Sequence, residues 1–161
     1  MNPLLMEITI DFLKNYPQHI SSLTKIAREE LGPTWSPDEK QLRQYLNIDL
    51  LPLTLVALDN SAPVGMCSLT QTKGLRPDLT PWLGPLVVDK RYQRCGIGSQ
   101  LIEVIKQKAR ILGFEKLYLC THDPELATRY YQRRGWSIIG VDEWKGYSVT
   151  VMEINLGEKK G

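Results

Sequence analysis

The residues best suited to chemistry lie together in one stretch, Val87-Val88-Asp89-Lys90-Arg91-Tyr92-Gln93-Arg94-Cys95-Gly96-Ile97-Gly98-Ser99-Gln100-Leu101. An apolar run leads into a short basic loop, two glycines flank one residue, and an amphipathic helical pattern begins. A helix start leaves backbone N–H groups unpaired and carries a partial positive charge, so such a junction can take a phosphate. Glycines at 96 and 98 let the backbone approach an anion closely and adopt dihedrals that other residues resist. Lys90, Arg91 and Arg94 add positive charge beside it.

Two anion-binding patterns of this general design do not fit. The dinucleotide fingerprint Gly-x-Gly-x-x-Gly fails because its third position is Leu101, and a P-loop would need Gly-Lys-Ser/Thr. What remains is Gln/Arg-x-x-Gly-x-Gly/Ala, met by Gln93, Gly96 and Gly98. Metal chemistry has little to work with: the three cysteines, Cys67, Cys95 and Cys120, show no Cys-x-x-Cys spacing, and His19 and His122 are the two histidines. No metal is expected.

The elements that must position this stretch can be read from apolar spacing. Met6 to Ile10 alternates as a first strand. Ile20, Leu23, Ile26, Ala27 and Leu31 mark a helix over 18–31, stopped by Gly32-Pro33, and Ser36-Pro37-Asp38-Glu39 reads as a capping box opening a helix to about Leu46. Leu53–Leu58 and Val64–Gln71 form a hairpin around Asp59–Pro63, and a breaker-rich loop leads to the strand Trp82–Asp89. Gly84-Pro85 inside that strand marks a bulge or an edge where the sheet opens, because proline cannot donate to a ladder.

Beyond the basic loop, Ile97, Leu101, Ile105, Ala109 and Leu112 trace one face of a helix ending at Gly113, followed by a strand over 116–121. Asp123-Pro124 reads as cap and first turn of a helix to about Arg134. Trp136–Val141 and Ser148–Leu156 close the chain around the turn Trp144-Lys145-Gly146-Tyr147. Hairpins mixed with a crossover predict one α/β domain with a mixed sheet over 1–161.

Composition narrows the function classes. With 161 residues, 42% of them hydrophobic and a net charge of +2, the chain has the makings of a core and is not disordered. No nucleic-acid partner is expected from so small a charge. The sum conceals a division: residues 1–89 carry seven Lys/Arg against ten Asp/Glu, a net of −3, and residues 90–161 carry thirteen against eight, a net of +5. No apolar run approaches a membrane span, and Met1–Glu7 has neither the basic nor the long apolar region of a signal peptide, so no membrane partner and a cytoplasmic location are expected.

Gly-x-Gly after Leu86-Val87-Val88, followed some thirty residues later by Tyr131-Gln132-Arg133-Arg134-Gly135-Trp136, resembles the GNAT superfamily of N-acetyltransferases over nearly the whole chain. The second element matches that family's Tyr-x-x-x-Gly-Phe/Trp. The resemblance implies a GNAT fold with a mostly antiparallel sheet, splayed at the acetyl-CoA site and flanked by helices. It implies acetyl-CoA as donor co-substrate, an amine-bearing acceptor, and a monomer or homodimer. Direct attack by the amine in a ternary complex would be the reaction.

By that resemblance the backbone of Leu86, Val87 and Val88 would bond the pantetheine arm as an added strand would. Backbone N–H groups of Arg94, Cys95, Gly96, Ile97, Gly98 and Ser99 would cradle the pyrophosphate, with Gln93 as the motif's first residue. Many members have Arg there, so Arg91 or Arg94 would supply the missing charge. Tyr131 would protonate the departing thiolate. The carboxylate that members often place on the strand before the loop is missing from Trp82–Val88. His122 is then the candidate base, with Asp123 beside it, and the same gap raises the alternative of a non-catalytic acyl-CoA-binding regulatory module. Glu29, Glu30, Asp49, Asp78, Asp142 and Glu143 could attract a cationic amine, and Trp35, Trp82, Trp136 and Trp144 could stack on one.

Overall fold

Strands and helices follow the expected order, and the computed structural model describes residues 7–157. The expected strand residue Met6 lies outside the described residues. The elements are β1 (Ile8–Phe12), α1 (Ile20–Leu31), α2 (Glu39–Arg43), β2 (Leu53–Asp59), β3 (Ala62–Thr70), β4 (Trp82–Val88), α3 (Ile97–Ile111), β5 (Lys116–Thr121), α4 (Leu126–Gln132), β6 (Ser137–Trp144) and β7 (Tyr147–Asn155). Strand neighbours run β1-β2-β3-β4-β5-β7-β6 in an α/β fold. β4 and β5 are parallel, whereas β1–β2, β2–β3, β5–β7 and β6–β7 are antiparallel.

The chain divides into two compact units whose boundary falls inside β4 and α3. The first comprises residues up to Leu69 and Gly84–Ile105. Its core gathers Leu13, Ile20, Leu23, Ala27, Leu42, Val56, Leu58, Met66 and Val87. α1 supplies Ile20, Leu23 and Ala27 from one face, as the apolar spacing predicts. Six of the seven residues of β2 are buried, the signature of a strand covered on both faces. Thr54 and Ser68 place hydroxyls inside this ladder and satisfy each other at 2.7 Å.

The second unit comprises Thr70–Leu83 and the chain from Lys106 onward. Leu117, Leu119, Trp136, Val149, Val151 and Met152 are buried here. Trp82 is fully buried, its indole N–H donating to the Leu79 carbonyl at 2.8 Å. β4 is in register with β5 at Trp82↔Tyr118. The expected irregularity follows at once, with Gly84 at φ 133°, a conformation that glycine tolerates.

Several boundaries differ from those expected, each for a local reason. α2 begins at Glu39 because Asp38, rather than Ser36, is the cap: its carboxylate accepts from the Gln41 N–H at 2.7 Å. Leu46, expected at the helix end, forms an isolated bridge with Leu53. α1 is preceded by a 3₁₀ turn over Pro17–His19, which shortens it. α4 begins three residues after Asp123, whose carboxylate accepts from the N–H groups of Glu125 and Leu126, both at 2.9 Å. β6 runs on to Trp144 because Lys145 and Gly146, at φ 53° and 81°, close the hairpin as a two-residue turn.

β3 and the end of β4 approach closely within the first unit. A Cβ built on Gly65 would lie 3.0 Å from the Val87 carbonyl oxygen, and the Asp89 N–H donates to the Val64 carbonyl at 2.8 Å. Asp89 then caps the 3₁₀ turn Lys90–Tyr92, accepting from the Arg91 N–H at 2.9 Å and pairing with the Arg91 guanidinium at 3.2 Å. The guanidinium first, and the N–H after it, hold the Asp89 carboxyl below its ordinary value of 3.8 against the opposing effect of burial.

Two outcomes follow from this seam. Gly65→Ala is expected to destabilise the chain by about 1–3 kcal/mol, read as a lower urea midpoint, because the new methyl meets backbone that cannot swing aside. A carboxyl lowered in the folded state stabilises the chain above its unfolded value and loses that contribution as pH falls through the folded value. The difference in urea midpoint between the unsubstituted chain and Asp89→Asn should therefore narrow as pH falls below about 4.

Candidate active site

The junction between β4 and α3 is built by two left-handed residues. Gln93 is extended, Arg94 sits at φ 64° and Gly96 at φ 82°, and the chain enters α3 at Ile97. The Gly96 carbonyl accepts from the Gln100 N–H at 3.0 Å, closing the first helical turn. The first turn of a helix in general presents backbone N–H groups that lack the usual acceptor four residues back. Such a helix start carries the positive end of the helix dipole, and the left-handed Arg94 and Gly96 lie immediately before it.

The two glycines have different reasons to be there. Gly96 has open space around it and is required by its dihedral. Gly98 has an ordinary helical conformation, and a Cβ there would meet Val88 Cγ2 at a comfortable 3.9 Å. Neither backbone strain nor crowding inside the protein asks for a glycine at 98.

Polar side chains around the junction are largely committed. Arg91 is tied to Asp89, and the Tyr92 hydroxyl donates to Asp59 at 2.8 Å. That bond to a carboxylate, helped by burial, raises the Tyr92 phenol above its ordinary range. Gln93 Nε2 donates to Glu30 at 2.7 Å and to the Val88 carbonyl at 3.0 Å. Lys90 and Arg94 are exposed and make no ion pair among the described residues. Cys95 and Ser99 are half-buried, as are Leu86 and Val88, while Val87 faces the core.

Tyr131 and His122 fall in the second unit, and the residues from Leu86 to Ser99 fall in the first. Tyr131 is half-buried on α4, with its ring edge-on to Trp136 at 5.8 Å. The preceding Tyr130 lies under the Arg134 guanidinium, 3.6 Å from its ring centroid. The two tyrosine rings also meet each other edge-on, 5.2 Å between centroids, so Tyr131 is packed between Tyr130 and Trp136. The Tyr131 carbonyl accepts from the N–H groups of Arg134 and Trp136, which holds the helix end before Gly135 at φ 95°. His122 is exposed after β5, and the Asp123 carboxylate is occupied by the backbone of α4.

The other candidates sort themselves in the same way. Cys67 is buried and Cys95 half-buried, and burial raises the Cys120 thiol, with the nearby Lys73 charge pulling it down. A raised thiol holds less thiolate and is a poorer nucleophile. Arg76 pairs with Asp78 at 3.0 Å and reaches Asp142 at 3.7 Å. Lys73 and Lys145 sit over the Trp144 ring at 5.5 and 4.8 Å. The cations that engage these acids and this indole come from the chain itself, a feature that residue type alone does not announce. A cleft of about 440 Å³ on the β6–β7 hairpin is lined by Asp142 and Glu143 together with Val141, Gly146 and Ser148. No cluster of three metal-binding side chains occurs among the described residues, and no helix there is long and apolar enough to cross a membrane.

Comparison with known proteins supplies an independent line. Residues 20–136 match the Acetyltransferase (GNAT) family. A probable N-acetyltransferase 14 of Xenopus tropicalis is 26% identical over 115 residues, 71% of this chain and 54% of that protein. A spermine/spermidine N(1)-acetyltransferase of Bacillus subtilis is 31% identical over 75 residues, 45% of this chain and 49% of that protein. The chain spans about half the length of these curated relatives. An aminoglycoside 6'-N-acetyltransferase solved with coenzyme A shares the fold, with a TM-score of 0.75 at 18% identity over 97% of this chain and 100% of that one. A strand, a glycine-bearing loop and a helix start, followed by Tyr131 four residues before Gly135, sit within the matched span: the chain belongs to the GNAT family of acetyltransferases.

Proposed function

We propose that this chain transfers an acetyl group from acetyl-CoA to a primary amine by direct attack in a ternary complex. The observation that carries the proposal is the junction from Leu86 to Ser99. Its helix-start amides, its left-handed Arg94 and Gly96, and a Gly98 that the protein's own packing does not require all suit a closely approaching pyrophosphate. Lys90 and Arg94 add charge for the donor phosphates. Leu86 and Val88, half-buried beside the buried Val87, offer strand backbone to the pantetheine amides. A solved aminoglycoside acetyltransferase of the same fold holds coenzyme A, which supports the choice of donor.

Tyr131 is the proposed general acid. As the amine nitrogen bonds to the thioester carbon and the carbon–sulfur bond breaks, the Tyr131 hydroxyl gives its proton to the departing sulfur, so that a thiol leaves rather than a thiolate. The acceptor amine loses a proton in the same process. His122 is exposed and is the proposed acceptor of it, directly or through water, whereas Asp123 is spent on capping α4. A cationic acceptor would find Glu143 along the hairpin cleft, where Asp142 is already engaged by Arg76. The polyamine name of the Bacillus subtilis relative makes spermidine a natural first acceptor to try.

Two measurements test this reading. CoA release should be seen with acetyl-CoA and at least one member of a panel of polyamines, aminoglycosides, amino acids and peptides with free N-termini. CoA binding by calorimetry with no turnover across that panel would instead mark an acyl-CoA-binding module, the reading that the missing acid in Trp82–Val88 favours. Tyr131→Phe should lower kcat by about 10²-fold, the usual scale for a lost acid, with the CoA dissociation constant changed far less. An unchanged kcat would remove Tyr131 from the chemistry.

A further inference from the structure

Gln93 opens the loop motif, yet its side chain is engaged with the protein. Both N–H bonds of its amide are spent, one on Glu30 Oε1 at 2.7 Å and one on the Val88 carbonyl at 3.0 Å. We propose that Gln93 is a positioning residue, a pin that ties the acetyl-CoA loop to the C-terminal turn of α1 through Glu30 and to the last residue of β4 through Val88. The inference deepens the acetyl-CoA reading and rests on it.

The pin is needed because of what lies on either side of it. Val88 is the last residue of β4, and within eight residues the chain must pass through a 3₁₀ turn and two left-handed residues to reach α3. Arg91 and Tyr92 are anchored before Gln93, to Asp89 and Asp59. Arg94 beyond it has no ion pair among the described residues. Gln93 is thus the last side chain with a long-range polar tie before the amides that would meet the pyrophosphate. Its bond to Glu30 is charge-assisted and short, the stronger kind of hydrogen bond. Holding those amides in place before the donor arrives lowers the entropic cost of binding.

The pairing also explains a glutamine at 93. An arginine there would face Glu30 and have much of its charge cancelled by it. A neutral amide keeps both bonds and leaves the work of attracting phosphate to Lys90, Arg94 and the helix start. Glu30 is, on this account, a partner of the loop and not a receptor for the acceptor amine.

The test compares acetyl-CoA with S-acetyl-pantetheine, a donor that lacks the pyrophosphate, across a set of variants. Gln93→Leu should raise KM for acetyl-CoA about fivefold, as loss of hydrogen bonds of ordinary strength would, with kcat within about a factor of two and preference over S-acetyl-pantetheine falling by the same factor. Glu30→Gln keeps an acceptor oxygen but loses the charge, so its KM should lie between those of the unsubstituted chain and Glu30→Leu. Glu30→Leu should raise it, and Glu30→Leu with Gln93→Leu should be no worse than Gln93→Leu alone, because Gln93→Leu already removes the contact that Glu30→Leu breaks.

Equal loss with both donors would assign Gln93 a general structural role and overturn the proposal. A lower KM in Glu30→Leu, repeated in the Gln93→Leu background, would show Glu30 as a simple repulsive charge and overturn it too. Failure of the unsubstituted chain to bind CoA by calorimetry would remove the acetyl-CoA reading and the pin with it. Normal CoA binding with an unchanged KM in Gln93→Leu would remove the pin alone.

Discussion

A strand that turns into a loop must find new partners for its backbone, and the end of β4 is where this protein meets that constraint. Buried backbone polar groups without partners cost several times what a surface contact returns, so they are almost always satisfied. Here the Asp89 N–H goes to the Val64 carbonyl, the Val88 carbonyl to Gln93, and the Arg91 N–H to the Asp89 carboxylate. Tyr92 adds a side-chain anchor to Asp59. Gly65 makes the arrangement possible, since any side chain there would press on the Val87 carbonyl. One side of the loop is fastened in this way just before the chain enters α3 at Ile97.

Charge distribution has to be judged at that scale. Counting by halves, the chain is acidic before residue 90 and basic after it. The structure neutralises much of this locally: Arg91 pairs with Asp89, Lys116 with Glu153, and Arg76 with Asp78 and Asp142. Exposed pairs of this kind contribute little to stability, typically about 0–1 kcal/mol. They do decide which charges remain available to a ligand. Lys90 and Arg94 remain so beside the helix start, which is a better guide to an anion site than the net charge of a segment.

Much of this was legible in the residues themselves. Apolar spacing placed α1, α3, the hairpin β2–β3 and the closing strands, because periods of 3.6 and 2 follow from backbone geometry and persist in any fold that buries one face. The glycines at 96, 113 and 135 do sit at positive φ, where a glycine costs least. Element ends were less legible. Asp38 displaced Ser36 as the cap of α2, and Asp123 capped α4 from three residues away, because several nearby side chains could fill the same role and small differences in local geometry chose among them.

The sequence by itself determined the strand, the glycine-bearing loop and the helix that follows, together with the tyrosine that marks the family, since all of these depend on short-range sterics and spacing. Only the tertiary structure decided how the side chains around the loop are spent. Gln93 meets Glu30, sixty-three positions away, and Tyr92 meets Asp59 thirty-three positions away. No local pattern encodes such pairs: which polar faces come together is settled by burial of the core as a whole, with each long side chain then taking the partner that packing has brought within reach.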